Sequence, residues 1–179
     1  AAGQNADSAI AVRVDTAGFV VVEGETSSED LIAPENAVQP KYGGGASDGF
    51  LAILGPELQP VSFTYVGGSG EDRAGALALD GTGDAWVGLN TLSADLETTD
   101  NAPEAELSKG GWEGYVVRFG ALATWRMSST YLGGKGGGTG EQMTAVAMDA
   151  DGNVWVAGTS NSTDFPVSEG AFQSEAKVG

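Results

Sequence analysis

One stretch of sequence occurs almost three times in this chain, and that recurrence restricts the fold more than any single residue does. Ala9–Asp15 aligns with Ala74–Asp80 and with Met143–Asp149. Three positions after each closing aspartate stands a glycine (Gly18, Gly83, Gly152), and fifteen positions after it another aspartate (Asp30, Asp95, Asp164). Each second aspartate precedes an apolar residue, Leu31, Leu96 or Phe165. Beyond these lie Ala37-Val38-Gln39, Ala102-Pro103-Glu104 and Ala171-Phe172-Gln173. The first two copies stay 65 residues apart as far as Asp48-Gly49-Phe50 and Glu113-Gly114-Tyr115. They close on Tyr65-Val66-Gly67-Gly68 and Tyr131-Leu132-Gly133-Gly134, by then 66 apart.

Within each copy the local signals are those of β-structure. Alanine stands four residues before the first aspartate (Ala11, Ala76, Ala145). Bulky residues stand one and three before it: Val14 and Val12, Leu79 and Leu77, Met148 and Val146. Alternating small and bulky residues predict a strand packed between two sheets. Asp-x-x-Gly then supplies a tight hairpin whose glycine takes positive φ. A second strand is expected over Phe19 to Gly24, Ala85 to Asn90 and Val154 to Thr159. After a long polar connection comes a third, Phe50 to Leu54 or Tyr115 to Phe119, and then a fourth, Val61 to Val66 or Thr124 to Leu132.

Four antiparallel strands per repeat, with no helix-period segment, predict an all-β fold of β-propeller blades. The chain would be a partial propeller of about two and a half blades: repeat 1 over 1–68, repeat 2 over 69–134, and a truncated repeat 3 over 135–179. A period of 65 residues is too long for one coil of a solenoid.

Several of these motifs together resemble the bacterial seven-bladed β-propeller repeat family. They are Tyr131-Leu132-Gly133-Gly134, the hairpin from Asp149 to Thr159, Thr163-Asp164-Phe165-Pro166 and Ala171-Phe172-Gln173. Asp48 to Leu54 looks like that family's third-strand motif, and the resemblance covers nearly the whole chain. It implies an exported, often surface-associated repeat protein, usually without a known enzymatic role. The middle copy departs from the pattern with Leu96-Glu97 and Pro103-Glu104, and a glycine-rich insertion at Lys135 to Gly138 precedes the third.

Composition narrows the chemistry. The formal charge is −17, from 25 acidic and 8 basic residues. Nucleic acid and anionic membrane surfaces would be repelled rather than neutralised. No run reaches the 18 or so apolar residues of a membrane-spanning helix. Histidine and cysteine are both absent. That excludes disulfides, Cys/His zinc sites and the Ser-His and Cys-His nucleophile pairs.

The residues that remain as candidates each have a structural reading beside the functional one. Asp149, Asp151 and Asn153 place oxygen ligands at alternate positions, like the start of a calcium loop, but lack the downstream glutamate; a hairpin turn is the better reading. Asp30, Asp95 and Asp164 read as turn caps rather than ligands. The runs Gly43 to Gly45 and Gly133 to Gly138 lack a following Lys-Ser/Thr and read as flexible turns, not phosphate loops. Trp86 and Trp155 share a second-strand position and read as packing between blades, with about 3–5 kcal/mol expected for Trp155→Ala. Trp112 and Trp125 have no repeated counterpart and are the surface-contact candidates. The acidic stretch of Asp95, Glu97, Asp100, Glu104 and Glu106 reads as a solvated connection rather than a hydrolytic pair.

The expected function is therefore a non-enzymatic structural or interaction module, extracellular or at the cell surface, serving adhesion or assembly. It would have no cofactor and no catalytic residues. Its alternatives are a carbohydrate- or calcium-binding propeller and, less favoured, a carboxylate-based hydrolase or lyase. The partner is expected to be protein, with glycan as a further alternative. The repeat pattern starts at Gly3, equivalent to Gly68, and stops in the connection before a third strand. The missing strands belong either to the remainder of a longer chain or to neighbouring copies that complete the blade, and the longer chain is favoured.

Overall fold

The computed structural model describes residues 3–108, 111–134 and 140–175. Three antiparallel sheets follow one another along the chain. The first contains β1 (Asp7–Val14), β2 (Val20–Thr26), β3 (Asp48–Leu54) and β4 (Pro60–Val66) in that order. The second repeats it with β5 (Asp72–Leu79), β6 (Ala85–Thr91), β7 (Glu113–Phe119) and β8 (Arg126–Leu132). Among the described residues the third holds β9 (Gln142–Met148) and β10 (Val154–Thr159). The glycine-rich run from Lys135 to Gly138 lies outside the described residues. No helix among the described residues is long and apolar enough to cross a membrane.

The strands lie where the repeat predicts them, with two informative differences at their ends. β3 and β7 each begin two residues earlier than expected, at the buried acids Asp48 and Glu113. β8 starts at Arg126 rather than Thr124, because Ala121–Ala123 wind into a short 3-10 turn. The hairpins after the first strands are identical in all three sheets. Gly18, Gly83 and Gly152 adopt φ of 85–87°, a region that disfavours residues with a Cβ. In each hairpin one carboxylate oxygen of the leading aspartate accepts the main-chain N–H groups two and four residues later.

Each first strand also carries a bulge that the period-two pattern does not reveal. The register slips at Ile10, at Gly75 and at Thr144, which are equivalent positions. One extra residue there bends the strand and increases its twist.

The sheets stack face to face. In β5 the two side-chain sets separate as the sequence requires: Leu77 and Leu79 turn to the first sheet, Ala76 and Ala78 to the third. One core, with Leu51, Ile53, Val87, Leu89, Tyr115 and Val117, fills the seam between the first and second sheets. A smaller one, with Val116, Met143 and Val146, fills the next seam. First strands meet one another across both seams, β1 with β5 and β5 with β9. Four-stranded sheets stacked in this manner are propeller blades.

The two seams solve the same packing problem with different residues. In the first, Glu23 of β2 reaches the bulge of β5 and accepts the Gly75 N–H at 3.3 Å. In the second, the position of Glu23 is taken by Gly88, and a Cβ there would stand 2.2 Å from the Met143 sulfur. Met143 occupies the place that Ala74 holds in the preceding repeat. A large residue has moved from one side of the seam to the other, keeping the volume filled.

Candidate interaction site

The long connection between second and third strands is held by three recurring anchors. Its second-position aspartate is the first. Asp30 Oδ1 accepts the Gln4 N–H at 3.0 Å, and Asp95 Oδ1 accepts the Ser69 N–H at 2.9 Å. These bonds reach 26 residues back to the crossover entering the blade. Asp30 and Asp95 therefore bind protein, as expected, but tie a crossover rather than cap a local turn. Asp164 lies against the equivalent crossover, where a Cβ on Gly134 would come 2.9 Å from its Oδ1.

The fourth-strand tyrosine is the second anchor. Tyr65 Oη accepts the Leu31 N–H at 3.0 Å and donates to Ser28 O at 3.0 Å. Tyr131 does the same for Leu96 and Ser93, at 3.0 and 2.8 Å. Both rings are buried, and burial raises the phenol of each, that of Tyr131 to about 12. They act as neutral hydroxyls throughout the physiological range.

The third anchor is the position of Gln39 and Glu104. Gln39 O accepts the Tyr65 N–H at 3.0 Å, and its side-chain oxygen accepts the Gly67 N–H at 3.1 Å. Glu104 O accepts the Tyr131 N–H at 3.0 Å, and Glu104 Oε2 accepts the Gly133 N–H at 2.8 Å. The Pro-Glu departure of the middle repeat thus preserves the same two bonds.

In the third blade these anchors stand, among the described residues, without the strands they hold elsewhere. β2 pairs with β3 from Val20↔Leu54 to Thr26↔Asp48, and β6 pairs with β7 from Ala85↔Phe119 to Thr91↔Glu113. Among the described residues β10 pairs with β9 alone. Beside its outer edge lies a hollow of about 240 Å³, lined by Gly114, Leu132, Met143, Val156, Gly158 and Phe165. Gly158 is part of the reason for the space. Its counterpart in the second blade is Leu89, which closes over Gly49 there and is fully buried.

The outward face of the third sheet is open as well. Ala145, Ala147 and Trp155 face solvent, whereas their counterparts Ala76 and Ala78 are buried and Trp86 is half-buried against the third sheet. Trp155 is 63% exposed among the described residues, whereas its counterpart Trp86 packs against the next sheet as expected of this position. Its indole N–H donates to Asp149 Oδ2 at 3.0 Å.

The other candidates resolve residue by residue. Asp149 spends both carboxylate oxygens on its own hairpin, accepting from Asp151, Asn153 and Trp155. Those bonds, the Asn153 amide first, hold its carboxyl down at about 2. Among the described residues no group of three or more acidic side chains is arranged to hold a metal ion. Trp112 is half-buried and belongs to a seam: Arg73 lies over its ring at 4.6 Å, and its carbonyl accepts the Glu141 N–H at 2.7 Å. Trp125 is 54% exposed at the turn between β7 and β8, where it covers Gly120.

Gly43 to Gly45 are not a loose turn. Cβ atoms on Gly43 and Gly45 would fall 2.6 and 2.1 Å from the carbonyls of Gly68 and Gly70, so the run is glycine because two backbones touch. In the acidic stretch, Glu97 pairs with Arg126 and Asp95 holds the crossover.

Sequence reasoning missed the tyrosine anchors and the buried acids that open the strands. Their signal was present. Ser28, Ser93 and Ser162 recur in register, and so do Tyr65 and Tyr131.

Two stacked four-stranded blades followed by half of a third define the chain as a β-propeller repeat protein. Residues 129–166, running from β8 through the crossover to the end of the β10 turn, match the SBBP family model, described as a beta-propeller repeat. No curated protein matches the chain.

Proposed function

We propose that this chain is a non-enzymatic interaction module, a propeller scaffold for adhesion or assembly in an exported or cell-surface protein. The observation that carries the assembly role is the outer edge of β10, which takes no third strand among the described residues where β2 and β6 each take one, so that a further hairpin, from the same polypeptide or from a neighbour, completes it. A bare edge of this kind is a template for strand addition. Placement outside the cytoplasm rests on the family resemblance.

The other two blades describe what fits. The partner is a hairpin of the repeat's own type, supplied by the remainder of a longer chain or by a neighbouring molecule: an acid-Gly-aromatic strand to pair with β10, then a strand bearing tyrosine and Gly-Gly. Its aromatic ring would enter the hollow over Gly114. Its tyrosine hydroxyl would meet Ser162 and Phe165, and its glycine N–H would meet Gln173. A second copy of the chain is a poor donor. Its β3 and β7 already have neighbours on both sides, and lending one would dismantle a complete blade.

A labelled peptide spanning 112–134, which contains β7 and β8, tests this. Saturable one-to-one binding is expected, with Kd on the order of micromolar and several-fold weaker for a Tyr131→Phe peptide. A scrambled peptide binding equally well would contradict the proposal. So would stoichiometric binding of calcium or a glycan with no binding of the hairpin.

A further inference from the structure

Three acids lie inside the seam between the first two blades. Glu23, Asp48 and Asp72 are all fully buried. Glu23 Oε2 and Asp48 Oδ1 have no hydrogen-bond partner, and Asp72 is met by the hydroxyls of Thr91 and Ser93 rather than by a cation. Such groups are costly to bury as anions, because desolvation is not offset by a counter-charge. Among the described residues none of the three forms an ion pair.

Their surroundings are short of positive charge. Asp48 opens β3 and accepts the Gly43 N–H at 2.6 Å. Asp72 opens β5 and accepts the Gly68 N–H and the Ser93 hydroxyl, both at 2.7 Å. The two are brought together across the seam by the Asp72 N–H, which donates to Ser47 O at 2.8 Å, and by the Ser47 hydroxyl, which donates to Asp72 O at 3.0 Å. Asp95 adds a further negative charge against both, from the connection after β6. Tyr42 lies in the field of both acids, and Tyr65, Tyr115 and Tyr131 in that of at least one of them, all as neutral phenols. Glu23 faces the Gly75 and Ala76 N–H groups of β5, and the cation in its field is Arg13 of β1.

The arrangement recurs at the second seam. Glu113 opens β7 and Glu141 precedes β9, and the Glu141 N–H donates to Trp112 O at 2.7 Å as Asp72 does to Ser47. Paired acids at each seam are thus a property of the repeat.

We propose that the seam between the first two blades is an acid-set latch, closed while Glu23, Asp48 and Asp72 are neutral carboxylic acids and loosened when they ionise. Burial is the main cause that pushes Glu23 and Asp48 up to about 7 and raises Asp72 above the usual carboxylate range. An acid held above its unfolded value stabilises the fold in its protonated form. That contribution is complete below about pH 4 and is lost as pH rises through about 7. For Glu23 alone, a rise from 4.5 to about 7 changes the folding equilibrium by about a few hundredfold. The latch is independent of whether the third blade takes a strand.

The test is a carboxyl-carbon NMR titration of the full chain together with urea unfolding from pH 5 to 8, in low salt and in 1 M NaCl (~3 Å screening length). The latch requires Glu23 and Asp48 to titrate near 7 and the urea midpoint to fall across that range in both salts. The double variant Glu23→Gln with Asp48→Asn should flatten the fall; if it does not fold, the wild-type titration decides. Titration in the ordinary carboxylate range would overturn the proposal, as would a level or rising midpoint. A fall abolished by salt would assign the effect to surface charge. A midpoint restored by Ca²⁺ at pH 8 would make the acids a cation site instead.

Discussion

Trp86 and Trp155 occupy the same place in their repeats, yet one lies beneath a neighbouring sheet and the other faces water. The same division runs through the second and third blades. Leu89 closes over Gly49 where Gly158 leaves a hollow. Tyr131 ties Ser93 to Leu96, whereas among the described residues no fourth-strand tyrosine joins Ser162 and Phe165. The repeat specifies half of an interface at each face and each edge, and the neighbour supplies the other half. A residue's burial therefore depends on its place in the array as much as on its identity, which is the expected behaviour of repeat architectures.

The contrast can be broken most forcefully at the core of the second blade. Leu89 is fully buried, so Leu89→Ala should destabilise by about 3–5 kcal/mol in urea unfolding. A loss below about 1 kcal/mol would mean the first seam is not packed as described.

The tryptophan pair gives the next largest effect and the sharpest internal control. Trp86→Ala should cost about 2–4 kcal/mol, less than a fully buried tryptophan because its ring is half-covered. Trp155→Ala should stay within about 0.5 kcal/mol. Equal losses at both sites would show that the outer face of the third sheet is covered in solution.

Removing one hydroxyl probes the anchors. Tyr131→Phe keeps the ring and deprives Leu96 N–H and Ser93 O of their partner, for an expected loss of about 1–3 kcal/mol. Added hairpin peptide should not restore it, since that site is internal. The smallest effect concerns the exposed hairpin of the third blade. Asp149 should titrate near 2 by NMR, unchanged by Ca²⁺. A Ca²⁺-dependent shift at Asp149, Asp151 and Asn153 would restore the calcium alternative.

Much of this was legible in the sequence because the repeat reports backbone requirements directly. Gly18, Gly83 and Gly152 mark hairpins that need positive φ, and the small-bulky alternation in β5 correctly separates its two covered faces. What escaped were features that depend on a neighbour. Trp155 carries the same local signal as Trp86, and nothing within a strand announces whether another sheet lies above it. Gly43 to Gly45 read as a flexible turn because composition does not reveal that the carbonyls of Gly68 and Gly70 lie within touching distance. Nothing in the sequence marks Glu23 as buried, because its place in the seam depends on the bulge at Gly75 of the next blade.

Native-state hydrogen exchange on the monomeric chain tests the division between complete and half-complete blades most directly. The β6 amides that bond to β7 should be strongly protected, while the equivalent amides of β10 exchange at nearly open-chain rates. Equal protection of both sets in a monomer, with no partner added, would contradict an open third blade.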